Sequence, residues 1–140
     1  MAAADFEVTL LGGEDSPPGK LYRPGDEVRG SVALFTDSNV KCQHFYIRLG
    51  WHTEGRGTRY AEKVSELDVF QGELSSSIPA NYNFSFVLPD QPWSYEGHYI
   101  TIAWAVEFEV DVSWGKNLKH FEPFILSPER KAASSTQDSW

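Results

Sequence analysis

One cysteine, Cys42, is all the chain carries. It has no partner for an internal disulfide, which excludes the disulfide-stapled secreted scaffolds and fits a reducing compartment. No run of about 18 uncharged apolar residues occurs, so no transmembrane helix is expected. The opening MAAADFEV has neither a basic region nor an apolar stretch, so no signal peptide is expected either. These absences lead to the expectation of a cytoplasmic home. Basic residues are scarce: 12 Lys and Arg stand against 20 Asp and Glu, for a net charge of −8 and a pI near 4.9. That balance weighs against nucleic acid, whose affinity comes largely from cations meeting phosphates. It weighs equally against bulk attraction to anionic lipid, leaving peripheral membrane contact only to a local basic patch.

What is present is apolar and aromatic. With 140 residues, 41% apolar and 14% aromatic, the chain has the composition of one globular domain. Residues 99–112, YITIAWAVEFEVDV, show the strongest pattern. Ile100, Ile102, Trp104, Val106, Phe108, Val110 and Val112 alternate with a set that drifts from small to acidic. A period of two means a strand with one buried and one wet face, needing a strand on each side and a second sheet to cover it.

Similar alternation recurs along the chain. Residues 6–11 (Phe6, Val8, Leu10) suggest an edge strand, and residues 12–19, GGEDSPPG, a loop. Pro24-Gly25-Asp26 marks a tight turn before Val28, Gly30, Val32 and Leu34, with Gly30 pointing to a bulge or a close backbone neighbour. Residues 40–51 place Phe45, Ile47, Leu49 and Trp51 inward, and Tyr46, Arg48 and His52 outward. Residues 60–70 are compatible with a strand or a turn of helix, and 71–77 read as a polar connection. Residues 81–88 bury Phe84, Phe86 and Leu88. Pro123 makes residues 121–126 an expected edge. The fold class is therefore all-β: an antiparallel, immunoglobulin-like β-sandwich of about seven to nine strands, residues 1–127, with 128–140 a disordered polar tail.

Few residues suggest catalysis, and no enzyme activity is expected. Cys42 and His44, two apart on a strand, would share a face, the minimum for a thiolate nucleophile. A lone strand cysteine is more often a small buried hydrophobe. His44, His52, His98 and His120 have no metal-ligand spacing, so no metal and no cofactor is expected. Glu107, Glu109 and Asp111 form an acidic stripe, which reads as a solvated sheet face or as a docking stripe for a basic partner. Asn83-Phe84-Ser85 fits a glycosylation sequon, but mid-strand it reads as coincidence. Trp51, Trp93 and Trp114 either cap the ends of the core or, exposed, could stack sugars as in a carbohydrate-binding module. Residues 53–63, TEGRGTRYAEK, gather Arg56, Arg59, Tyr60 and Lys63 around two glycines, a flexible basic loop in an acidic chain. The expected partner-binding set is Trp51, Arg56, Arg59, Tyr60, Lys63 and Trp93.

Taken in order, several stretches resemble the N-terminal domain of arrestin-like proteins. They are Phe6-x-Val8-x-Leu10; Tyr22-x-Pro24-Gly25-Asp26-x-Val28-x-Gly30-x-Val32; Ile47-x-Leu49-Gly50-x-His52-Thr53; Tyr82-x-Phe84-x-Phe86-x-Leu88-Pro89; Trp93-Ser94-Tyr95-x-Gly97 leading into Ile100-x-Ile102-x-Trp104-x-Val106; and Phe124-Ile125-Leu126-Ser127-Pro128. The resemblance spans most of residues 6–128. It implies a non-enzymatic scaffold or adaptor, with relatives among trafficking adaptors, the arrestin-like subunit of retromer and bacterial sporulation-control proteins. Such domains bind protein partners, or membranes peripherally, through sheet edges and end loops. By position, residues 53–63 look like the loop that engages receptors in receptor-binding arrestins. The Pro-Gly-Asp turn is expected to close a hairpin. Arrestins have two such domains and the resemblance here covers one, so a homodimer is a further expectation. No phosphate-sensing lysine pair and no PPxY-type motif is evident.

Overall fold

In the computed structural model, residues 4–16, 19–55, 60–97, 100–113 and 115–128 are described. Ten strands follow one another: β1 Ala4–Leu11, β2 Glu14–Ser16, β3 Gly19–Tyr22, β4 Glu27–Thr36, β5 Val40–Gly55, β6 Ala61–Leu74, β7 Ala80–Val87, β8 Tyr95–Glu96, β9 Ile100–Val112 and β10 Leu118–Leu126. Two of them, β2 and β8, are only three and two residues long. Among the described residues there is no helix. One sheet has the order β1-β4-β7; the other runs β2-β3-β10-β9-β5-β6, with β8 also on β9. This is the expected β-sandwich.

The alternating strand sits where its pattern requires. β9 lies between β5 and β10, antiparallel to both. Trp104, Val106, Phe108 and Val110 are wholly buried and Val112 nearly so. Burying five such side chains contributes on the order of 10 kcal/mol of gross hydrophobic stabilisation. Their cover comes from the small sheet: Phe108 meets Phe84 at 5.6 Å and Phe6 at 6.3 Å between ring centroids. Tyr82 of β7 stands edge-on to Phe45 of β5 at 5.4 Å. The indole N–H of Trp104 is satisfied by the Pro92 carbonyl at 2.7 Å, which removes the cost of a buried orphan donor. The close neighbour of Gly30 is real: a Cβ there would lie 2.3 Å from the Thr9 carbonyl oxygen and 2.8 Å from the Phe84 ring.

Several expectations are corrected. The Pro-Gly-Asp turn forms, with Gly25 at φ +84° and the Asp26 amide donating to the Arg23 carbonyl. It does not close a hairpin: β3 and β4 belong to different sheets, so the turn passes the chain between layers. Residues 12–19 are not all loop, because Glu14, Asp15 and Ser16 pair with β3 as β2. Residues 61–70 are strand, and β6 runs on to Leu74, through half of the expected connection at 71–77. β10 is an edge only in part: from Leu118 to Phe124 it pairs with β9 alone among the described residues, whereas Ile125 and Leu126 also gain a parallel partner in Leu21 and Tyr22 of β3. Pro123 is accommodated because β3 joins β10 only beyond it.

Cys42 and His44 do not share a face. A register shift in β5 opposite β9 falls between them, adding a residue and reversing the alternation. Cys42 turns into the core, 2% exposed, and burial pushes its thiol up to about 11. His44 turns outward to Asp68, 2.7 Å away, and stacks on Tyr46.

Candidate functional site

The longest strands converge on one end of the large sheet. β5 continues to Gly55 and β9 begins at Ile100, paired residue by residue down to Gly55↔Ile100. β8 flanks the start of β9, with Tyr95 opposite Ile102. β6 flanks the end of β5, with Ala61 opposite His52. The backbone at this tip is pinned by the sheet's own hydrogen bonds. The Thr53 amide donates to the Tyr60 carbonyl at 2.7 Å, and the Tyr60 amide returns to Thr53 Oγ1 at 2.8 Å. That clasp extends the ladder, so the expected loop 53–63 shortens to the few residues between Gly55 and Ala61. Arg56 and Arg59 lie outside the described residues, as do His98 and Trp114.

Of the expected binding set, the structure brings Trp51, Tyr60 and Lys63 together. Trp51 packs on the core and is half-buried; Tyr60, 53% exposed, covers it with ring centroids 5.1 Å apart. The Tyr60 hydroxyl donates to Glu62, and that bond raises the phenol above its ordinary range. Lys63 is a strand residue opposite Gly50, its ammonium 3.2 Å from Glu66. Trp51 and Lys63 also line a groove of about 440 Å³ with His52, Gly50, Ala105 and Phe121. Trp93 is not beside them. It precedes β8 on the far margin, 48% exposed, its indole N–H donating to the Asp90 carbonyl. Its segment is tied down where Ser94 exchanges hydrogen bonds with Leu126, the Ser94 amide giving to the carbonyl and the Leu126 amide to Ser94 Oγ.

Two further residues belong to this end that sequence reasoning missed. Tyr95 is 56% exposed and Ile100 42%. Ile100 opens the alternating series, and its periodicity argued for burial. The cover fails at the start of β9 and is complete only by Trp104. The available signal was position: Tyr95 and Ile100 flank Gly97 at a turn, where the Gly97 amide bonds the Ile100 carbonyl.

The acidic stripe takes a different form. Arg48 reaches across the outer face to Glu66 and Glu109, both at 2.5 Å, and to Glu107 at 3.4 Å. Burial opposes the Arg48 charge, but these carboxylates outweigh it and raise its pKa well above the usual value. Hydrogen bonding by Arg48 holds Glu66 below the ordinary carboxylate range. Burial would raise Glu109; hydrogen bonds from Arg48 and Asn117 overcome it and leave Glu109 lowered. Much of the stripe is thus neutralised within the chain. No group of three or more His, Cys, Asp or Glu among the described residues is arranged to hold a metal.

Two layers of these strands in this order define an arrestin-like β-sandwich. One solved structure with this fold is Spo0M, the sporulation control protein from Bacillus subtilis, which matches at a TM-score of 0.67 and 17% identity over 91% of this chain and 50% of that one. The chain thus spans about half the length of Spo0M. No protein-family model and no curated protein sequence matches. No described helix is long and apolar enough to cross a membrane.

Proposed function

We propose that this chain is a non-enzymatic, cytoplasmic protein-interaction adaptor that engages a protein partner through the end of its large sheet. The observation that carries the reading is that exposed large side chains lie on both margins of this end, Tyr60 on the β6 side and Trp93, Tyr95 and Ile100 on the β8 side, on strands whose lower halves form the core. Large aromatics on a rigid frame are the usual anchors of protein interfaces, since they bury much area and lose little side-chain entropy. Arg56 and Arg59, carried from the sequence, add the cationic component expected of such a loop. The name of Spo0M, a control protein of the same fold, is consistent with a regulatory rather than a chemical role.

The test is capture from the native cell by the full chain, with a triple alanine variant at Arg56, Arg59 and Tyr60 and a separate Trp93→Ala. Both variants are expected to lose most captured partner and to melt within about 2 °C of the parent, because exposed side chains contribute little to stability. Undiminished capture removes this end from the proposal. A sugar-binding reading has less support, because Trp51 is covered by Tyr60 rather than open.

A further inference from the structure

The small sheet has an open edge of unusual character. Among the described residues β7 pairs with β4 alone, over eight residue pairs with no shift of register. From Leu74 to Pro89 the sequence carries no Asp, Glu, Lys or Arg, in a chain whose charged fraction is 23%. Ile78 and Val87, at either end of the strand, are 69% and 67% exposed. Exposed strand edges present unpaired backbone groups, and proteins normally protect them with charge, bulges or brevity. The other edges of this sandwich are protected in those ways. β1 carries Asp5 and Glu7. β2 is three residues long, two of them acidic. β6 holds Glu62, Lys63, Glu66, Asp68 and Glu73 and pairs through register shifts. Among the described edges, only β7 is long, regular and uncharged.

We infer that the edge of β7 is a self-association surface whose occupant is β7 of a second copy of this chain. Charge selects that occupant. Each copy has a net charge of −8 and would repel the other across most faces. At β7 the two edges bring no charge, and they match in length and alternation. An antiparallel pairing about a two-fold axis keeps Tyr82, Phe84 and Phe86 on the core side in both copies. It keeps Asn81, Asn83 and Ser85 on the outer side, so two three-stranded sheets become one of six. Single-strand pairing is a small contact, so the dimer is weak and reversible.

Sedimentation of the full chain across the micromolar to millimolar range tests this, together with amide exchange at low and high concentration. The expected results are a mass rising toward the dimer, slower exchange over residues 80–87 at high concentration, and tighter association at higher salt as the like charges are screened. Asn83→Lys, and independently Asn81→Lys, should weaken association by about tenfold or more by bringing a like charge from each copy to the shared edge, with the melting temperature unchanged. A monomer throughout, a dimer without protection of β7, or a dimer untouched by both substitutions overturns the inference.

Discussion

Replacing Arg48 by methionine keeps the unbranched apolar stem and removes the guanidinium that three carboxylates share. The perturbation lands in a partly dry place: the Arg48 side chain is 19% exposed and that of Glu109 12%. Exposed ion pairs are worth at most about 1 kcal/mol each, whereas a buried charge stripped of its partner costs about 3–5 kcal/mol. A three-armed, half-buried network falls between these limits, so about 2 kcal/mol is expected at neutral pH. For a chain of this size that is a fall in melting temperature of about 8 °C. The pH dependence is the sharper test. Glu66 and Glu109 are held low in the fold, so their stabilisation is complete above the unfolded carboxylate value of about 4.3 and is lost as pH falls through their lowered folded values. Without Arg48 that depression goes, and burial pushes Glu109 upward. Parent and variant should therefore differ most near pH 7 and converge below about pH 4. Thermal melts by circular dichroism at several pH values read this directly. A drop of less than about 2 °C at pH 7, or a gap that widens on acidification, refutes the reasoning.

Other substitutions probe the packing. Gly30→Ala forces a methyl into the Thr9 carbonyl and the Phe84 ring, and should cost about 2–3 kcal/mol in a denaturant titration; a neutral result would mean that β1 and β4 can separate there freely. The Cys42 thiol, buried and raised to about 11, should resist labelling at neutral pH until the chain is unfolded. Rapid labelling of the native chain would reopen the thiolate reading. Polysaccharides should leave tryptophan fluorescence unchanged; a saturable shift would favour the sugar-binding reading.

Where burial follows a period of two, the sequence is transparent: the inward faces of β4, β7 and β9 are readable as written, because one sheet face is dry and the other wet. Three things were not readable, each for a physical reason. Sheet membership depends on long-range pairing, so Pro24-Gly25-Asp26 looks the same whether it closes a hairpin or crosses between layers. A bulge leaves no mark in composition, so His44 seemed to share a face with Cys42 until the register shift reversed it. The extent of cover is a property of the opposing sheet, so Ile100 carried the same pattern as Phe108 and met a different fate. The candidate site was half legible for the same reasons. Trp51, Tyr60 and Lys63 do come together, because Thr53 and Tyr60 fasten the end of a hairpin whose first strand was visible and whose second, at residues 60–70, was compatible with strand or helix. Trp93 lies on the other margin, and Tyr95 and Ile100 join it only through pairing of β8 with β9.

The central claim is that this sandwich meets its partner at the end built by β5, β6, β8 and β9. Amide hydrogen exchange on the purified full chain, alone and with the captured partner, tests it most directly. Protection is expected at residues 51–63 and 93–102, with the acidic outer face around Glu109 unchanged. Protection confined to that outer face, with residues 51–63 and 93–102 exchanging as in the free chain, would contradict it.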